Sequence, residues 1–284
     1  MHAVSDADLP SPGLPRWHAL RPSDLWRWPL GELAHPTDRL LTRLVGLLAL
    51  ARIAEIEGWE QVHPRHDPFL LVANHSSRRE AVLLPAVLML ARHGRPVRFL
   101  ADWNFRLIPG VGRLFDRSGA ITLTRKPARP RILNRLKPRF ESAVSALEQA
   151  RAHLLRGGAI GIFPEGRVNR DAAHLLAGRR GTARLSLELG VPLVPVGIRF
   201  AGRDAATGTV DPSSPMHLQF GEPMHPPAVS ARPSRGQVTD WHAELMRAIA
   251  HLSGKHWPGP TAAKPRLPQS PQRFAPDERG GGAC

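Results

Sequence analysis

The sequence has 284 residues, of which 42% are hydrophobic, and a formal net charge of +15 at pH 7. That apolar fraction supports a folded core and excludes wholesale disorder, and the length suits one α/β domain with extensions. The single cysteine, Cys284, excludes an internal disulfide framework and a cysteine metal site; it is compatible with a reducing compartment.

Residues 1–37 are rich in Pro, Trp and Arg, with Trp17, Trp26 and Trp28, and read as a loose N-terminal arm. The first 15 residues lack the basic start and apolar core of a signal peptide. The run LLTRLVGLLALARIAEI (40–56) has apolar residues at helical spacing. It is shorter than the ~20 apolar residues of a spanning helix and carries Arg43 and Arg52. Residues 38–57 are therefore expected to form a membrane-associating helix that packs or lies on an interface.

Strands and helices then alternate from 58 to 253. HDPFLLVAN reads as a buried strand, short, apolar and bounded by turn residues, and AVLLPAVLMLARHG as a helix ending at Gly94. PVRFLA and GAITLTR read as strands joined by a loop with Pro109, Gly110 and Gly112. FESAVSALEQARAHLLRGG is a helix with a Gly157-Gly158 stop. AIGIFPEG is a strand ending in a Pro-Glu-Gly turn. GTARLSLELG is a helix, VPLVPVGIRF a strand, MHLQFGEP a last strand and 238–252 a last helix. Residues 254–284, Pro-rich and basic, read as a disordered tail. The alternation predicts an α/β fold with a mixed, largely parallel sheet flanked by helices.

Charge is concentrated between Arg92 and Arg139, where 13 Lys/Arg face only Asp102 and Asp116. Such a stretch attracts polyanions: nucleic acid, an anionic membrane face or an acidic carrier protein. No nucleic-acid motif accompanies it, so nucleic acid is not the expected partner, although a basic polyanion-binding protein stays an alternative. No metal spacing and no phosphate-loop or dinucleotide glycine pattern occurs. His63, His66, His153 and His174 fit no motif and read as surface or capping residues.

Two polar clusters fall at strand ends, where open α/β sheets place their ligands. The first is Asn74-His75, with Glu80 five residues after the histidine. A carboxylate there can fold back to the ring, fix its tautomer and leave the other nitrogen free to take a proton. From spacing alone, a loop or capping histidine and a first-turn helix acid are the better explanation, since short His/acid patterns are common. The second cluster is Glu165-Gly166-Arg167.

The order of four blocks resembles the glycerophospholipid acyltransferase family, of the 1-acylglycerol-3-phosphate (lysophosphatidic acid) acyltransferase type. NHSSRRE is similar to its N-H-x4-D motif. GVGRLFDRSGAITLTR resembles the second motif through Gly119, Ile121 and Arg125. FPEGRVNR resembles the third, F-P-E-G-T-R, and VPLVPVGI the fourth. The resemblance implies an O-acyltransferase of phospholipid biosynthesis in which His75 is the base and Glu80 orients it. The fatty acyl donor would be acyl-CoA or acyl-carrier-protein, with no further cofactor and no metal. Arg125, Glu165, Gly166 and Arg167 match the positions that hold the acceptor's phosphate, with Arg170 as a further candidate. It also implies anionic membrane lipids as partners and a peripheral position on the cytoplasmic face of the cell membrane.

Two departures stand out. Glu80 replaces an aspartate and is one methylene longer. Val168 occupies the arginine slot of the third motif, which leaves open an acceptor other than lysophosphatidic acid, such as a lyso-ornithine lipid or a glycolipid.

Overall fold

The computed structural model describes residues 15–108, 111–124, 126–128 and 130–260. A seven-stranded sheet runs β1 (Ile53–Glu57), β7 (Met216–Phe220), β6 (Leu193–Phe200), β2 (Leu70–Ala73), β5 (Ala159–Ile162), β3 (Val97–Asp102), β4 (Ile121–Leu123). The five strands from β6 to β4 are parallel to one another. β7 is antiparallel to β6 and parallel to β1, so the sheet is mixed and largely parallel, as the pattern of elements predicts.

All four residues of β2 are buried, because helices cover both faces. Leu71 and Ala73 join the core under α3 (Glu80–Ala91), while Leu70 and Val72 join the core under α6 (Gly181–Leu189) and α7 (Arg235–Ser253). Apolar on every side, α3 is buried apart from Val82, which is partly exposed. At Gly197 in β6 an added Cβ would overlap the Leu252 backbone, so glycine lets the end of α7 lie directly on the sheet.

Several expectations are corrected. The arm is not loose where it is described. Trp17 donates to the Ile53 carbonyl and Trp28 to the Leu90 carbonyl, and both rings pack near Trp59. Between them lies a short helix, α1 (Pro22–Arg27), whose Leu25 is fully buried. The expected 40–56 helix is α2 (Pro36–Arg52), and its last residues leave it to become β1. Ile53 and Ile56 suit a helix face or a strand equally; the choice is made by β7, far along the chain. The loop after β3 contains α4 (Val111–Arg117). The helix expected over 140–158 is α5 (Ala146–Leu155), which starts late because Ser145 and Glu148 form a reciprocal cap. A 3-10 segment, Arg131–Phe140, precedes it. The expected tail begins inside the fold: Lys255 is buried, and His256 pairs with the loop at His174.

The basic stretch is also partly used up internally. Arg92 is fully buried on Asp67, Arg106 pairs with Asp116 and Lys126 with Asp102. Among the described residues no helix is long and apolar enough to cross a membrane.

Candidate active site

The carboxyl ends of β2 and β5 lie side by side and carry the two polar clusters. Asn74 extends the β2 ladder with its side chain: its Oδ1 accepts from Ile198 N at 2.7 Å and its Nδ2 donates to Ile198 O at 2.9 Å. That pins the strand end to β6 and aims the next residue, His75, out of the sheet. Phe163, at the end of β5, stacks on the His75 ring at 4.3 Å between centroids and limits its rotation.

His75 Nδ1 lies 2.8 Å from Glu80 Oε2. Glu80 is the first residue of α3, and its side chain is fully buried. The extra methylene lets the carboxylate curl back over the helix start. Its oxygens accept from Ser76 N at 2.9 and 3.0 Å and from Ser77 N at 2.9 Å. Burial pushes the Glu80 carboxyl up from its ordinary value, while the His75 ring and the Ser76 and Ser77 amides pull it down. The Ser76 and Ser77 amides can only donate, which favours the ionised carboxylate. Facing that carboxylate, a neutral imidazole carries its proton on Nδ1 and leaves the Nε2 lone pair free. Nε2 makes no hydrogen bond among the described residues, and the side chain is 12% exposed. The structure brings His75 and Glu80 into direct contact.

Glu165 binds the backbone and side chains around His75. Its Oε1 accepts from His75 N at 3.0 Å; its Oε2 accepts from Asn169 Nδ2 at 2.8 Å and Leu176 N at 3.0 Å. Asn169 N in turn donates to the His75 carbonyl at 2.6 Å. The carboxylate of the third block therefore holds the backbone that carries His75. Burial pushes Glu165 up, against these donors and the nearby Lys255.

Gly166 sits at φ 68°, a conformation that favours glycine, and an added Cβ would press on the Arg179 guanidinium 2.8 Å away. Arg167 and Arg170 are exposed on the same loop, and so is Arg179, whose amide donates to the Pro164 carbonyl. Arg125 lies outside the described residues. Of the unassigned histidines, His63 caps a turn, His174 pairs with Asp171 on the surface, and His153 is half-buried. No group of metal-ligating side chains occurs among the described residues.

Sequence reasoning missed Ser76, Phe163, Asn169, Arg179 and Lys255. Ser76, Phe163 and Asn169 lie inside the recognised blocks, and Arg179 follows nine residues after Arg170 in an ordinary loop. Lys255, which donates to Ser76 Oγ, is 179 residues from it and carries no local signal.

The chain matches the family described as Acyltransferase over residues 54–199, just over half its length, a span that contains all four blocks. Its fold is similar to the crystal structure of the 1-acyl-sn-glycerophosphate (LPA) acyltransferase PlsC from Thermotoga maritima. That likeness has a TM-score of 0.50 and 22% sequence identity, and covers 82% of this chain and 88% of the other. The comparison with curated proteins gave no match. The chain belongs to the acyltransferase family.

Proposed function

We propose that the protein transfers a fatty acyl group from a thioester, acyl-CoA or acyl-carrier-protein, to the hydroxyl of a lysophospholipid of the 1-acylglycerol-3-phosphate kind. The observation that carries the reading is the His75–Glu80 contact at 2.8 Å beside a glycine turn bearing exposed arginines. Nε2 takes the acceptor hydroxyl proton as the oxygen attacks the thioester carbonyl. The tetrahedral intermediate collapses, the C–S bond breaks, and the imidazolium returns the proton to the leaving sulfur. Glu80 stabilises the imidazolium without taking its proton. A base so placed contributes roughly 10²–10⁴-fold.

Arg167 and Arg179 are the described candidates for the acceptor's phosphate, with Arg125 by family resemblance and Arg170 further along the loop; guanidinium forks suit phosphate oxygens. Gly166 provides the turn that Arg167 follows and that the Arg179 side chain lies against. Val168 in the arginine slot favours a second reading, a lyso-ornithine lipid or glycolipid acceptor.

The substrates place the protein at a membrane, and its surface supports peripheral binding. Leu40, Leu44 and Leu48 form a stripe along the outer face of α2, each 46–49% exposed. Arg131, Arg135 and Arg139 are exposed near Ile132 on the 3-10 segment and would meet anionic headgroups. The test is transfer of labelled acyl groups from both donors to a panel of lysolipids by purified protein. Transfer to none of them overturns the reading.

A further inference from the structure

We propose that Lys255 is a positioning residue of this reaction: its ammonium locks the loop carrying His75 and supplies the positive charge that two buried carboxylates, Glu80 and Glu165, share. The inference rests on the acyl-transfer reading for its kinetic arm only.

Gly254, in the left-handed conformation at φ 63°, ends α7 and turns the chain inward. His256 N then donates to the Ala173 carbonyl at 2.7 Å, and Leu175 N to the His256 carbonyl at 2.8 Å, so the turn is bound to the loop after β5. Between these anchors the Lys255 side chain runs under the catalytic loop. Its Nζ donates to Ser76 Oγ at 2.8 Å and to the Asp171 carbonyl at 2.6 Å. Ser76 is the residue whose amide binds Glu80, and it directly follows the base. One ammonium thus ties together the loops after β2 and β5, which hold Glu80 and Glu165 respectively.

The charge pattern gives that tie a second role. Glu80 is fully buried and Glu165 is 7% exposed. Two carboxylates in a layer so poor in water stay ionised only with compensation. Around Lys255 stand Glu80 at the head of α3, Glu165 after β5, and Asp171 with its partner His174 in the next loop. Burial lowers the Lys255 ammonium, and Glu165, Glu80 and Asp171 oppose that shift. If the cation is lost, the carboxylates compete for protons, and a protonated Glu80 no longer orients His75.

The test compares the full-length wild type with Lys255→Met, which keeps an unbranched chain without the charge, and Lys255→Arg. The first arm needs no substrate: thermal midpoints from pH 5 to pH 8. With the cation gone, the two carboxyls hold their protons to higher pH in the folded state than in the unfolded one. Their ionisation then costs stability increasingly as pH rises, so the gap between wild type and Lys255→Met should widen from pH 5 to pH 8. Lys255→Arg should close most of it. The second arm is steady-state transfer with whichever acceptor the wild type uses. Lys255→Met should lower kcat by about tenfold or more, with both KM values within about twofold and the acid limb of the pH–rate profile moved to higher pH. A stability gap constant across the pH range, or a Lys255→Met enzyme with wild-type kcat, overturns the proposal. A wild type inactive on every lysolipid sinks the substrate reading instead, and the first arm still decides the role of Lys255.

Discussion

The amide of His75 donates to Glu165 Oε1 at 3.0 Å, so the third block of the sequence holds in place the histidine supplied by the first. This makes Glu165→Gln informative. A glutamine has one acceptor oxygen and one amino group, whereas His75 N, Asn169 Nδ2 and Leu176 N all donate to the native carboxylate from both sides. Asn169 cannot turn to help, because its Nδ2 also donates to the His174 carbonyl and its Oδ1 accepts from Asp171 N. One buried donor is left facing another donor, which costs roughly 1–3 kcal/mol. Urea denaturation should show that loss, and kcat should fall with acceptor KM within about twofold. A raised acceptor KM at normal stability would place Glu165 against the acceptor instead.

The His75–Glu80 pair should show in both chemistry and folding. His75→Ala removes one donor from the buried Glu80 and should abolish transfer at a stability cost smaller than that of Glu80→Gln, because the Ser76 and Ser77 amides still hold the carboxylate. Glu80→Gln puts an amino group among donors that all face the carboxylate, so it should cost both orientation and stability. In the serine protease template the matching change lowers kcat about 10⁴-fold. Near-normal turnover in His75→Ala ends the general-base mechanism.

The extent to which these features were legible in the sequence follows their range along the chain. His75 and Glu80 are five residues apart, and one turn of chain brings them together, so spacing plus family pattern was enough. The parallel strands were legible because burial on both faces leaves continuous apolar runs such as FLLVA. β1 was not, since IAEIE is a strand only because β7 lies beside it. Nor was the packed arm: Trp17 and Trp28 look like isolated aromatics until their partners, Ile53 and Leu90, are placed beneath them. Lys255 is the extreme case, a basic residue after a glycine whose meaning depends on a loop at the other end of the domain.

Acid should weaken the fold through His153. Burial, then Arg98 and its neighbours, lowers this ring from 6.5 to about 4. The folded ring stays neutral while the unfolded one takes up a proton, so stability is lost as pH falls from 6.5 toward 4. His153→Leu should flatten that part of the urea midpoint–pH curve. An unchanged slope would show that the folded ring accepts the proton freely.

Membrane association should have an apolar and an electrostatic component. Changing Leu40, Leu44 and Leu48 together to Ser removes the α2 stripe without touching the buried Thr42, Gly46 and Ala49 on its inner face. Binding to vesicles containing anionic lipid should then weaken by at least about tenfold, the effect of ~1.4 kcal/mol. High salt should weaken the wild type as it screens the basic residues. Wild type that stays in solution with such vesicles at low salt rules out peripheral binding through this face.

The last prediction concerns the phosphate. Val168 cannot neutralise an anion, and the Gly166 turn presents two exposed guanidinium groups instead: Arg167 in sequence and Arg179 across the loop. Arg179 is the better placed of the two against the turn, since its Nε would sit 2.8 Å from a Cβ on Gly166. A bound phosphomonoester would draw on both, because two forks can share its three terminal oxygens. Arg167→Ala and Arg179→Ala should each raise acceptor KM about tenfold with donor KM little changed. Arg125→Ala should do the same, and Arg170→Ala less. Lysine at 179 should rescue only in part, giving the charge without the fork. The acceptor's own chemistry supplies the control. A lysolipid lacking the phosphomonoester should be insensitive to all four changes, and such insensitivity toward lysophosphatidic acid itself would shift the assignment to the ornithine-lipid or glycolipid acceptor.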